Sequence, residues 1–198
     1  MGINWAAIKE EIKRDLGNVF ATNIPTYNSI EEGIDLFQKV IYTKYGNFEL
    51  GGLHRTLPLA LHEAYVTSAG QLNPLRIIAD SLESYLKKIA LIANLENANS
   101  ILSKQLMALF KLLNLNSALS QQQWGGYPQL TESELNNYIG TPEYLEFLCS
   151  SFLTRNKVHE SPDWNRKTVI EKLTHLLIVY IYAALKYKED IKNTQDFA

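Results

Sequence analysis

Residues 169–185 read VIEKLTHLLIVYIYAAL, and this stretch decides the fold class. Val169, Leu173, Leu176, Leu177, Tyr180, Ile181, Ala184 and Leu185 recur at helical spacing, and Ile178, Val179 and Tyr182 fill the remaining directions. A helix apolar nearly all round sits at the centre of a bundle or faces a partner subunit. The most apolar run, Leu176 to Leu185, falls well short of the roughly 20 residues that a helix needs to cross a bilayer. It therefore reads as a buried helix, ending near Tyr187.

Toward the N-terminus the helical pattern repeats. Ser161-Pro162-Asp163-Trp164 places a cap, a first-turn proline and an acid ahead of the last helix. Thr141-Pro142-Glu143-Tyr144 does the same for a helix through about residue 156, and Thr131-Glu132-Ser133-Glu134 reads as a capping box. The polar segment 117–126, followed by Tyr127-Pro128, predicts a long connection or hinge. Before it, helices are expected over about 99–115, capped by Asn99 or Ser100, and from Pro74 to about Leu95. A further helix is expected over 53–68, interrupted or started by Pro58. Another runs from a cap at Asn28 or Ser29 to about Tyr45, with Ile30, Ile34, Phe37 and Ile41 inward and Gly46-Asn47 as its break. The first helix covers about 2–16, with Trp5, Ile8, Ile12 and Leu16 on one stripe and Gly17-Asn18 as a left-handed stop. No stretch alternates with period two between hairpin turns, and no internal repeat supports a solenoid. The fold class is all-α, a helical bundle. It forms either one domain over 1–198 or an N-terminal part, 1–116, joined through 117–129 to a C-terminal helix pair at 130–190.

Composition narrows the function. The chain has 198 residues, 46% hydrophobic and 20% charged, with a formal net charge of −2, so it is not a polycation built to coat nucleic acid. A lone Cys149 excludes an intrachain disulfide and a cysteine-based zinc cluster. Met1-Gly2-Ile3-Asn4-Trp5 passes at once into charged sequence, with no apolar signal segment, so the expected location is cytoplasmic and no membrane partner is expected. Phosphate loops, dinucleotide fingerprints, the zinc-protease helix motif, EF-hands and the nucleophile elbow are absent.

What remains is a polar cluster where one apolar helix ends and the next begins: Arg155-Asn156-Lys157-Val158-His159-Glu160-Ser161-Pro162-Asp163-Trp164. Arg155 and His159 are four apart, one helical turn, and so can converge on one ligand. Arginine offers a permanently charged fork for phosphate oxygens, and histidine exchanges a proton near neutral pH. RNA cleavage can use the substrate's own 2′-hydroxyl as nucleophile, leaving the protein to supply a base, an acid and a cation.

The segment from about Thr141 to Lys188, a helix ending in Arg-Asn, a His close behind and a long apolar helix, resembles the C-terminal helix pair of HEPN domains. The resemblance implies an HEPN-like bundle with extra N-terminal helices. It also implies a metal-independent endoribonuclease needing no cofactor, in a toxin-antitoxin or antiviral defence setting. Arg155 and His159 would be the catalytic pair, with Asn156 and Lys157 beside them as substrate-binding residues. The implied partners are RNA, a second copy of the chain paired through the C-terminal helix, and an antitoxin or a larger effector assembly. Other members of that family are inactive scaffolds or nucleotide-binding modules. The Arg-to-His spacing here is one residue shorter than the family pattern, and Glu160 stands where its histidine would fall.

The same residues also suit structural roles. An Arg at a helix C-terminus complements the dipole, Asn ends helices and His caps loose carbonyls, which is all that a non-catalytic interaction module would require. Segment 155–172 carries five basic against three acidic side chains, enough to steer a phosphate or merely to solvate a helix face. Glu132, Glu134, Glu143 and Glu146 would repel RNA or mark a protein contact. Trp124 and Trp164 can stack on bases, although core packing is the expectation for Trp164. His54, His62 and Glu63 lack the spacing of a single-helix metal pair, and His175 reads as a hydrogen-bonded core histidine.

Overall fold

The structure, a computed structural model, describes residues 2–23, 30–44, 52–67, 71–94 and 142–195, with residues 18–23, 142–146, 149 and 152 described by their backbone alone. The expected 99–115 helix, the 117–129 connection, the capping box and the caps at Asn28 or Ser29 lie outside the described residues, as do Trp124, Glu132 and Glu134. So do the side chains of Glu143, Glu146 and Cys149.

The described residues form helices and no strand, as the apolar periodicity requires. In chain order these are α1 (Trp5–Asn23), α2 (Ile30–Tyr42), α3 (Leu53–His62) continuing into a π-turn at Glu63–Thr67, and α4 (Leu72–Ile92). The C-terminal set is α5 (Pro142–Val158), α6 (Arg166–Lys186) and the short α7 (Lys188–Asn193). One hydrophobic cluster runs from Ile8 to Ile191, so helices from both ends of the chain share an interior.

Helix α6 is the stretch quoted first, and the structure resolves its two readings in favour of the centre. Residues 176–184 are all buried, and α6 packs against α1, α2, α4, α5 and α7. Its length and apolar composition would also suffice to cross a membrane, but here its neighbours are other helices of the chain. Where α2, α4 and α6 meet, Phe37, Tyr85 and Tyr180 form an edge-to-face trio with ring centroids 4.6 to 5.5 Å apart. Both tyrosine hydroxyls are satisfied. Tyr85 donates to the Tyr180 carbonyl at 2.8 Å, and Tyr180 donates to the Ile78 carbonyl at 2.6 Å.

Three boundaries differ from expectation for physical reasons. Helix α1 runs through Gly17 to Asn23, because the glycine's cost of about 1 kcal/mol relative to Ala is one that tertiary packing overrides, here the burial of Ile8, Ile12 and Leu16 along the same helix. Pro58 neither starts nor breaks α3; it lies buried inside the helix, with Gly52 in the left-handed region (φ 65°) ahead of it. Helix α6 begins at Arg166 with Asn165 as its cap, not Ser161: the Asn165 side chain accepts from the Thr168 backbone N–H at 3.0 Å. Ser161 is taken up elsewhere, in the chain reversal that carries the candidate site.

Two proline predictions correspond to first-turn positions. Pro142 is the first residue of α5 and Pro74 the third of α4, where a missing N–H breaks no helical bond.

Candidate active site at the α4–α5 seam

Helix α5 can bury its polar side chains because they bond to its own backbone. Ser151 and Thr154 donate to the carbonyls of Phe147 and Ser150, each at 2.8 Å, and Val158 at the end is fully buried. The helix is thereby pinned at its last turn, and the residues that follow are thrown out of the core. Glu160 closes a turn on the Lys157 carbonyl, Ser161 adopts φ 50°, and Trp164 closes a second, tighter turn on the Pro162 carbonyl before the extended Asn165 cap.

Arg155 and His159 leave this corner on the side facing α4. The Arg155 guanidinium lies 3.2 Å from the Glu83 carboxylate, and His159 Nε2 lies 2.8 Å from Asp80 Oδ1. Asp80 and Glu83 are three apart on α4, on one stripe, so Arg155 and His159 are brought to one strip of surface. The His159 side chain is 52% exposed and that of Arg155 35%, so the imidazole is half open to solvent while the arginine is mostly covered. The Arg155 Nε is buried without a partner.

An ionised carboxylate only accepts hydrogen bonds, so Nε2 of a neutral His159 carries the proton that meets Asp80. Nδ1 is then the nitrogen left for proton transfer, and the carboxylate fixes the ring's orientation, the arrangement that acid–base catalysis requires. Asn156, expected to bind substrate with Lys157, is half-buried. Lys157 is exposed and paired with Glu160 at 2.9 Å.

Asp80, Glu83 and Arg76 were not legible as site residues in the sequence. Their spacing at positions 76, 80 and 83 marks a charged stripe on α4, but nothing local says that the stripe meets residues some 75 positions later. Their arrival also revises the charge reading. With Arg76, Asp80 and Glu83 added, segment 155–172 counts six basic against five acidic side chains, so its excess of two falls to one, and at the turn itself Arg76, Arg155 and Lys157 stand against Asp80, Glu83 and Glu160.

Trp164 packs against the hydrophobic core. His175 accepts or donates a 2.7 Å hydrogen bond with Ser150 and stands edge-on to Phe147, as a core histidine does. His54 and His62 lie near opposite ends of α3, and among the described residues no group of three or more His, Cys, Asp or Glu could hold a metal ion.

In comparisons with known proteins, the chain matches no family model, no curated protein and no solved structure.

Proposed function

We propose that this chain is an HEPN-like endoribonuclease domain that cleaves RNA through the 2′-hydroxyl, with Arg155 and His159 as its catalytic pair. The observation that supports it most is the half-exposed His159, held through Nε2 by Asp80 within reach of the same strip of α4 that takes Arg155. A base removes the proton of the 2′-hydroxyl, the resulting oxyanion attacks the adjacent phosphorus, and the P–O5′ bond breaks as an acid protonates the leaving 5′-oxygen. The products are a 2′,3′-cyclic phosphate and a 5′-hydroxyl. His159 Nδ1 serves one of the two proton transfers, Arg155 takes the charge that develops on the phosphorane, and Asn156 and Lys157 hold the neighbouring backbone. The second proton transfer falls to the His159 of a second copy, as the family resemblance implies. Because residues 176–184 of the C-terminal helix are already buried within the chain, that pairing would use the corner at 155–165 and the exposed first turns of α6. A cytoplasmic toxin or antiviral setting, with an antitoxin or larger assembly, rests on the resemblance alone.

The test is incubation with labelled single-stranded RNA and tRNA in excess EDTA. Cleavage leaving cyclic-phosphate ends, lost in folded Arg155→Ala and His159→Ala, is the expected result. A folded wild-type dimer that leaves both RNAs intact overturns it.

A non-catalytic interaction module is the second reading, and one observation favours it. Arg155 already has a carboxylate partner in Glu83, and the charges around it balance, which is what a clasp between α4 and α5 needs and what a phosphate site does not.

A further inference from the structure

Arg76 sits one turn before Asp80 on α4 and reaches across the seam to the backbone that carries His159. Its Nη2 donates to the carbonyl of Val158 at 2.9 Å and lies 3.5 Å from the Ser161 hydroxyl. Val158 is the last residue of α5 and His159 the next, so a single guanidinium grips both sides of the turn from which the imidazole projects. Two costs accompany this grip. Ser161 is held at φ 50°, a conformation that non-glycine residues seldom adopt. The Arg76 Nε is buried with no hydrogen-bond partner, although its guanidinium is charged. Strain and unsatisfied polar groups of this kind cluster where a fold holds a functional group in place, and a residue selected for stability alone would be better placed with all its donors paired.

We infer that Arg76 is a positioning residue for His159: by fixing the Val158 carbonyl and Ser161 against α4, it holds the imidazole on Asp80 so that Nε2 keeps its proton and Nδ1 faces solvent. The inference rests on the RNA-cleaving reading for its consequence, but its geometric content stands apart from that reading and is tested apart from it.

The direct readout is the imidazole nitrogen NMR spectrum of the full chain above the titration of histidine, where the two neutral tautomers give distinct nitrogen shifts. The chain has four histidines, and His159→Gln identifies the signal. Wild-type His159 shows the tautomer protonated at Nε2. Arg76→Ala moves the signal toward a mixture of tautomers, as Asp80→Asn does, while Arg76→Lys, which can still donate to the Val158 carbonyl, retains the wild-type pattern. In the cleavage assay Arg76→Ala lowers kcat by up to about 100-fold, the cost of misplacing a reacting group by about 1 Å. KM is unchanged, because Arg76 does not touch RNA, and Arg76→Lys recovers most of the rate. An Arg76→Ala protein whose His159 spectrum matches wild type overturns the inference, as does a rise in KM at constant kcat, which would make Arg76 an RNA contact. A shifted spectrum in a protein that cleaves no RNA upholds the positioning role and removes the nuclease reading.

Discussion

The two faces of α4 are built on different physics. Toward α2 and α6 the helix presents Ile78, Leu82, Tyr85 and Ile89, at most 2% exposed, in a dry interior where every buried hydroxyl of the aromatic trio is satisfied. Toward the end of α5 it presents Arg76, Asp80 and Glu83, half-exposed, meeting Arg155, His159 and a backbone carbonyl. On the first face free energy comes from area removed from water, which depends on volume and shape. On the second it comes from charge pairs that solvent screens, so the face contributes orientation and little stability. One helix therefore serves as both keel and workbench, and substitutions on its two sides should separate stability from activity.

The largest effect is expected in the aromatic trio. Phe37→Ala removes a ring packed on both Tyr85 and Tyr180 and should cost about 3–5 kcal/mol, read as a lower urea midpoint at an unchanged slope. Next comes Gly33, where a Cβ would stand 2.5 Å from Ile181 Cγ2 and 3.1 Å from Leu185 Cδ1. Both contacts are side-chain atoms of α6, so Gly33→Ala forces α2 and α6 apart and should cost about 1–3 kcal/mol by the same measurement. A loss under half of that would mean that α6 shifts easily and that the interior is looser than its burial implies.

Lys88 sharpens the contrast, being a cation on the dry side. It is 6% exposed, its ammonium donates to the Ile41 carbonyl near the end of α2 at 2.8 Å, and burial lowers its pKa from 10.5 to about 8. The folded state then binds fewer protons than the unfolded state between pH 8 and 10.5, so this lysine makes stability rise with pH across that window. Lys186, lowered to about 8 by burial, acts in the same direction. Tyr180, which burial holds well above its usual value of 10.0, opposes them only above that pH. Urea midpoints should increase from pH 7.5 to 9.5, and Lys88→Met should flatten the slope. A slope identical in both proteins would show that the ammonium is hydrated.

The smallest effect belongs to the seam. A double-mutant cycle on Arg155→Ala and Glu83→Ala should return a coupling of roughly 0.2–1 kcal/mol, shrinking with added salt. A coupling above about 2 kcal/mol, insensitive to salt, would make the pair a structural keystone and would favour the interaction-module reading over catalysis.

Much of the bundle was legible from local patterns. In the two expected stripes Ile8, Ile12, Leu16, Ile34, Phe37 and Ile41 are fully buried, while the first members, Trp5 and Ile30, are partly buried against the core. Pro142 and Pro74 mark helix starts because a proline at those positions loses no hydrogen bond. The boundaries that local reading missed are those where one local preference gave way to another term. Gly17 continues α1 because the buried stripe of that helix outweighs a glycine's preference to end it. Ser161 is not the cap of α6 because Asn165, four residues later, accepts from the Thr168 N–H.

The sequence by itself determined that the chain is helical, that residues 169–185 form a helix apolar nearly all round, and that Arg155 and His159 share a corner between two helices. Those properties follow from periodicity and from contacts within a turn or two, which a linear chain already contains. Only the tertiary structure decided that the apolar helix is surrounded by its own chain, and that the corner faces Arg76, Asp80 and Glu83. Which stripe meets which depends on how whole helices pack, a long-range choice made by the burial of apolar surface, and the charged residues of the seam are carried to their partners by that choice.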